Sequence, residues 1–115
     1  MIFIKNLYII TPFKGNNIKK LKRTVSAIKK LNFSSKIIHL IISYKTKSFK
    51  LYEIKNMVYL PNYEIITISI KESGIYNAIN KGLDLIGDNS FYIVLGSGDL
   101  IKSINNKEIR IKQEE

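Results

Sequence analysis

Residues 36–43 have the sequence Lys-Ile-Ile-His-Leu-Ile-Ile-Ser, in which β-branched and other apolar side chains fill successive positions without alternation. A strand with one face in water alternates apolar and polar residues, because successive side chains point to opposite faces. This run therefore predicts a strand that is buried on both faces. Strands of this kind are typical of parallel sheets that helices cover on either side.

Other segments of the chain alternate between this pattern and a helical one. Further strands are predicted at residues 3–11, 64–70 and 91–95. Apolar residues recur at helical spacing in residues 18–31 and 74–86, which predicts two amphipathic helices. A shorter helix is expected at residues 51–57, and a short edge strand within residues 107–112. This order predicts an α/β fold with a mostly parallel sheet and helices on both faces.

Single residues carry further local predictions. Pro12 should end the first strand, because proline has no N–H group for the ladder. Asn17 and Ser73 are predicted as the N-caps of the two longer helices. Gly82 is expected to let the second of these helices pack closely on the sheet. His39 is expected to be a packed core residue rather than a ligand.

Length and composition limit the class of protein. The chain has 115 residues, of which 45% are hydrophobic and 24% charged, and this fits one globular domain. It contains no cysteine and one histidine, so disulfides, thiolate metal sites and histidine-rich zinc sites are excluded. No apolar run reaches the ~18 residues that cross a membrane, and we expect a cytoplasmic protein.

The charge of the chain is strongly positive and unevenly spread. The formal net charge is +10, and residues 1–50 contain 12 Lys and Arg but no Asp or Glu. This distribution fits an anionic partner such as a nucleic acid or an acidic membrane surface. It also fits a bias toward residues with AT-rich codons, since the chain has 23 Ile and 17 Lys but only 2 Arg. Because arginine makes most specific base contacts, we expect no nucleic-acid partner.

Three loops are predicted where a parallel sheet binds its ligands, beyond the carboxyl ends of strands: residues 11–16, 43–47 and 96–99. Two of these loops and one helix carry candidate motifs. Residues 11–15, Thr-Pro-Phe-Lys-Gly, lead into a helix N-terminus, an arrangement that can hold a phosphate. Residues 73–82 have the sequence Ser-Gly-Ile-Tyr-Asn-Ala-Ile-Asn-Lys-Gly. Residues 96–99, Gly-Ser-Gly-Asp, follow an apolar strand and offer one carboxylate, that of Asp99.

Taken in this order, the three segments resemble the N-terminal half of a family 2 glycosyltransferase with the Rossmann-like GT-A fold. The family pattern has a Thr-Pro strand end, a helix with Gly-Ile-Tyr-Asp-Ala-Met-Asn-Lys-Gly, and an apolar strand ending in Asn-Ser-Asp-Asp. Residues 21–24, Leu-Lys-Arg-Thr, also match the signature of its first helix. The resemblance covers about residues 6–100. It implies a donor-binding portion at residues 1–102, an irregular C-terminal tail at residues 103–115, and an incomplete sheet.

The resemblance implies that the chain binds a nucleotide-sugar, usually UDP-linked, whose sugar is transferred with inversion to a glycan or lipid-linked acceptor. It implies Mn²⁺ or Mg²⁺ as the cofactor, held by Asp99, because a metal neutralises the diphosphate leaving group. The residues that would bind the donor are Thr11, Pro12, Phe13, Glu72, Ser73, Gly74, Asn80 and Ser97. A lipid-linked acceptor would be consistent with peripheral association at the inner face of the membrane.

The chain departs from the family pattern at several points. Residues 43–47, Ser-Tyr-Lys-Thr-Lys, lack the carboxylate that usually holds the uridine, and Ser97 and Gly98 stand where a second metal-binding carboxylate is common. Only three glutamates follow Asp99, so against the family pattern we expect the acceptor half and its general base to be missing. Two alternatives stay open: a catalytically inactive truncated fragment, and a basic non-enzymatic module that binds an anionic surface.

Overall fold

The computed structural model describes residues 5–15, 17–31, 33, 35–45, 52–57, 60–99 and 109–113. Its elements are β1 Asn6–Lys14, α1 Ile18–Lys29, β2 Lys36–Tyr44, α2 Tyr52–Lys55, β3 Tyr63–Ile70, α3 Ile75–Leu85, β4 Phe91–Val94 and β5 Arg110–Ile111. The predicted alternation of strands and helices is confirmed. The predictions for residues 3–4, 46–51 and 100–108 lie outside the described residues.

The five strands form one sheet in the order β3-β2-β1-β4-β5. The first four are mutually parallel, and β5, the edge strand expected within residues 107–112, is antiparallel to β4. The chain moves outward from β1 to β3 and then returns past β1 to form β4. Because parallel crossovers are right-handed, this reversal places α3 on the face opposite α1 and α2.

The sheet is buried on both faces, as its apolar runs predict. One hydrophobic cluster joins the sheet to α1 and includes Ile9, Ile41 and Val25. A second cluster joins the sheet to α3 and includes Ile10 and Ala78. The prediction of a mostly parallel sheet with helices on both faces is therefore confirmed. Within the described residues, no helix has both the length and the hydropathy that a bilayer crossing requires.

Pro12 does not end the first strand, so this prediction is wrong. β1 continues beyond it, and Pro12 pairs with Ile42 of β2. The Leu95 N–H group donates to the Ile10 carbonyl, so the backbone polar groups of Ile10 face β4. Those of Pro12 face the same side, because this direction repeats every second residue along a strand. β4 ends at Val94, opposite Ile10. An N–H group at position 12 would therefore have no hydrogen-bond partner in β4. The strand tolerates Pro12 because no ladder hydrogen bond is lost there.

The N-cap predictions are confirmed only in part. Asn17 occupies the N-cap position of α1, but its side chain makes no capping hydrogen bond. The N-cap of α3 is Gly74, so the prediction for Ser73 is wrong. Gly74 has a φ of +114°, in the region that favours glycine, because the chain turns sharply from β3 into α3 there. The Ser73 carbonyl instead accepts a hydrogen bond from Asn77 Nδ2 at 2.8 Å.

Gly82 brings α3 into close contact with β1, as predicted. It is buried, and a Cβ atom at this position would lie 2.8 Å from Cγ2 of Ile10, closer than two carbon atoms pack. The missing side chain therefore sets how near the helix lies to the sheet. This contact fixes α3 over the strand that leads to the first of the predicted site segments.

Candidate functional site at the carboxyl edge of the sheet

The carboxyl ends of β1, β2, β3 and β4 lie at one edge of the sheet, because these strands are parallel. We call this the carboxyl edge. Ligands of open parallel sheets bind there, above all where the strand order reverses, which is between β1 and β4. The predicted site residues belong to the last part of β1, to the segments that follow β3 and β4, and to α3.

The loop after β4 turns back on itself around Asp99. Asp99 Oδ2 accepts a hydrogen bond from the Gly96 N–H group at 3.0 Å, and the Asp99 N–H group donates to the Gly96 carbonyl at 3.1 Å. A side chain at Gly96 would collide with this carboxylate, since its Cβ would lie 2.9 Å from Oδ2. Gly98 has a φ of +90°, which favours glycine. The two glycines therefore shape the turn that presents Asp99, with Ser97 half-buried between them.

A buried threonine of α1 holds this turn in place. Thr24 Oγ1 accepts a hydrogen bond from the Gly98 N–H group at 2.8 Å and lies 3.1 Å from the Asp99 carbonyl, to which it donates. The Lys20 carbonyl, at 3.4 Å, is a second acceptor within reach. Sequence reasoning matched Thr24 to a family signature without giving it a role. The available signal was a hydroxyl on the apolar face of a helix, next to Val25.

Another group of predicted residues lines an open pocket of about 450 Å³ between the end of β3 and α3. We call it the β3–α3 pocket. The residues that line it are polar or charged except for Ile70: Ser69, Ile70, Lys71, Glu72, Asn77, Asn80, Lys81 and Asp84. The structure thus brings Glu72 and Asn80 together, and it adds Asn77, Lys81 and Asp84, which sequence reasoning did not assign to the site.

The β3–α3 pocket and the Asp99 turn lie apart along the carboxyl edge. β2 and β1 separate β3 from β4, which makes three strand spacings, or about 14 Å. A single ligand that contacts both groups must therefore extend along the edge. The two neighbouring strand ends between them are those of β1 and β2.

The side chains of Thr11 and Phe13 lie in the core beneath α1 rather than at the surface. Both are almost fully buried, whereas Pro12 between them is half-buried. Thr11 Oγ1 is 2.7 Å from His39 Nε2, and His39 Nδ1 is 2.8 Å from Tyr63 Oη, so three strands share one hydrogen-bonded chain. Burial lowers the pKa of His39 to about 3 and raises the pKa of Tyr63. His39 is thus a neutral core residue, which confirms its prediction.

The described residues do not make up a metal site by themselves. Within them, no group of three or more His, Asp or Glu side chains lies close enough to hold a cation. Asp99 offers one carboxylate, and one of its oxygens already accepts the Gly96 N–H group. Mg²⁺ and Mn²⁺ prefer a nearly octahedral set of oxygen ligands. The cation that the resemblance implies stays a prediction, and no chemical step is assigned to it.

No protein-family model matches the chain, and no curated protein matches its sequence. The structure itself defines the class: an α/β protein with a five-stranded, mostly parallel sheet and helices on both faces. The function is therefore argued from the carboxyl edge and its contacts.

Proposed function

We propose that this chain binds a nucleotide-sugar, and specifically a UDP-sugar, as the donor portion of a family 2 glycosyltransferase with the Rossmann-like GT-A fold. The support is the coincidence of motif order with position in the fold. The segments that resemble the family's donor-binding motifs lie near one edge of a parallel sheet, where ligands of such sheets bind. The strand order reverses at β1, beside the turn that carries Asp99.

The hydrogen bonds between Thr24 and the Asp99 turn carry this proposal. Thr24 belongs to the first-helix signature, and Gly98 and Asp99 belong to the loop after the fourth strand, 74 and 75 residues further along the chain. Both segments belong to the family resemblance, which rests on sequence alone. Direct contact between them gives a physical reason for their joint occurrence, since the helix residue fixes the turn that presents the carboxylate.

The proposed ligand also fits the shape and polarity of the carboxyl edge. A nucleotide-sugar is an extended molecule with polar ends and an anionic diphosphate between them. The carboxyl edge has a polar pocket at β3, a carboxylate turn at β4, and about 14 Å between them. Transfer of the sugar to a glycan or lipid-linked acceptor is the activity that the family resemblance implies, and the donor-binding step is the part that these residues support.

Calorimetric titration of the purified chain with UDP, UDP-glucose and UDP-galactose tests the proposal. We expect saturable binding with one ligand per chain. Asn80→Ala should weaken it about tenfold, because the variant removes a hydrogen-bonding amide from the pocket lining. Asn62→Ala is the matched control, since Asn62 is an exposed amide at the opposite end of β3. If none of the three ligands gives a binding signal, the proposed donor-binding function is contradicted and only the resemblance in fold remains.

A basic binding module is the second candidate, favoured by the solvent side of α1. This helix contains no acidic residue. Its exposed cationic side chains are those of Lys19, Lys20, Arg23 and Lys29. Binding of this type is driven by attraction between exposed charges, which salt screens. Its affinity should therefore fall steeply between low and physiological salt. Salt-sensitive binding to anionic vesicles, together with no response to UDP, would favour this candidate over donor binding.

A further inference from the structure

We propose that a row of three lysines at the carboxyl edge, Lys14, Lys45 and Lys71, binds the diphosphate of the donor, so that binding requires no divalent cation. We call these residues the lysine row. This inference rests on the proposed donor-binding function and specifies how its anionic centre is held. It differs from the family expectation, in which a metal supplies the positive charge.

Strand register sets the spacing of the lysine row. Lys14, the last residue of β1, pairs with Tyr44, the last residue of β2, and Tyr44 pairs with Ile70, the last residue of β3. Lys45 and Lys71 are the next residues along the chain. Lys14 thus ends β1, whereas Lys45 and Lys71 stand one residue beyond the ends of β2 and β3. The three lysines lie at the ends of adjacent parallel strands, across two strand spacings or about 10 Å.

The lysine row is exposed and available to a ligand. None of its three side chains forms an ion pair with a described residue, whereas Lys22, Lys36 and Lys112 do. Lys45 also has a φ of +54°, a left-handed conformation that glycine or asparagine would adopt at lower cost. Sparsely populated backbone conformations cluster at functional sites, so the φ angle of Lys45 supports a use for its side chain.

The lysine row lies between the other two features of the carboxyl edge. At one end of the row, Lys71 follows β3 and also lines the β3–α3 pocket. At the other end, Lys14 ends β1, and β1 neighbours β4, which leads into the Asp99 turn. Two carboxylates, Glu72 and Asp99, flank the row at its two ends. A ligand with a polar group in the pocket and phosphates beyond it would therefore place its negative charge along the three ammonium groups.

The chemistry of the donor set favours lysine over a metal for charge neutralisation. Asp99 is a single carboxylate with one oxygen already hydrogen-bonded to the backbone, and the described residues hold no cluster of metal ligands. Lysine ammonium groups bind phosphate oxygens directly as strong point charges. The same charge requirement is thus met by lysines at the ends of three adjacent strands.

Titration with UDP and with inorganic pyrophosphate, each in excess EDTA and in Mn²⁺, tests this inference. We expect both ligands to bind in EDTA, and Mn²⁺ should not tighten the binding, because it chelates the same phosphate oxygens that the lysines would contact. The triple variant Lys14→Gln, Lys45→Gln and Lys71→Gln should weaken both by about tenfold or more, since each exposed ion pair contributes modestly. All three residues are exposed, so the variant should fold normally.

A matched triple variant controls for net charge. Lys5→Gln, Lys30→Gln and Lys55→Gln removes three exposed lysines at the opposite edge, and the affinity of this variant for UDP should stay within about twofold of wild type. An equal loss of UDP affinity in both triple variants would overturn the lysine row, because the loss would then follow from the lower net charge.

Failure of this inference and failure of the proposed function give different results. UDP binding that requires Mn²⁺ and disappears in Asp99→Asn would overturn the lysine row and leave donor binding standing. Asn at position 99 keeps an oxygen for the Gly96 N–H group, so that variant changes the charge alone. Pyrophosphate binding to the row in EDTA, with UDP binding no tighter than pyrophosphate, would uphold the row and remove the support for a nucleotide site.

Discussion

Gly82 shows how much a single missing side chain decides at the scale of one residue. Glycine in a helix interior costs about 1 kcal/mol relative to alanine, so propensity alone predicts that Gly82→Ala stabilises the protein. The contact with Ile10 opposes this, because the new Cβ would lie 2.8 Å from Cγ2 and about 3.1 Å from two further carbons of a stiff, buried side chain. Overpacking of this kind costs more than the helix gains.

We therefore expect Gly82→Ala to lower the free energy of unfolding by about 1–2 kcal/mol, measured by urea denaturation. Gly87→Ala is the control, since a Cβ there would meet only Ser90 Oγ at 3.8 Å. The control should change stability by less than about 0.5 kcal/mol. A stabilised Gly82→Ala protein would show that α3 moves away from β1 at little cost.

At the scale of elements, one hydroxyl joins α1 to the loop after β4. Thr24 satisfies the Gly98 N–H group and the Asp99 carbonyl, and it is itself fully buried. Removal of the hydroxyl leaves these partly buried backbone groups without their protein partner, which costs about 1 kcal/mol. The turn that presents Asp99 therefore depends on a residue of another element.

We expect Thr24→Val to speed hydrogen exchange of the Gly98 amide by roughly tenfold or more, because the isosteric side chain cannot accept its hydrogen bond. Thr24→Ser keeps the hydroxyl and should retain most of the protection. Amides in the middle of β2 serve as the internal reference. Equal protection of Gly98 in the valine and serine variants would contradict the role given to Thr24.

At the scale of the whole molecule, a buried chain of three polar side chains crosses the sheet. It runs from Thr11 in β1 through His39 in β2 to Tyr63 in β3. Burial lowers the pKa of His39 to about 3, from an ordinary value of 6.5. The unfolded chain therefore binds a proton below about pH 6.5 that the folded chain does not, so the stability from this group falls as the pH falls.

We expect the free energy of unfolding to drop by about 1.5 kcal/mol between pH 6.5 and pH 5, where most carboxylates stay ionised in both states. The measurement is urea denaturation at several pH values. His39→Gln removes the only histidine and should flatten this dependence. Proton NMR of the folded protein gives a second test, since titration of the His39 ring above pH 5 would contradict the argument.

Much of the fold could be predicted because its signals are local. The apolar run at residues 36–43 predicts a strand buried on both faces, and the spacing in residues 18–31 predicts a helix, since both patterns follow from backbone periodicity. Pro12 and Ser73 were predicted wrongly, because ladder partners and helix entry angles depend on neighbouring elements. Local chemistry does not say that β4 ends opposite Ile10 or that Gly74 begins α3.

The sequence by itself determined the order and type of the elements, the burial of the sheet and the candidate segments at its carboxyl edge. The tertiary structure alone decided which of those residues meet. Thr24 donates and accepts hydrogen bonds in the Asp99 turn, Thr11 is hydrogen-bonded to His39 in the core, and three lysines lie at the ends of adjacent strands. The physical reason is that secondary-structure periodicity depends on residues that are close in the sequence. Contacts and strand register depend on packing between segments that are far apart in the chain.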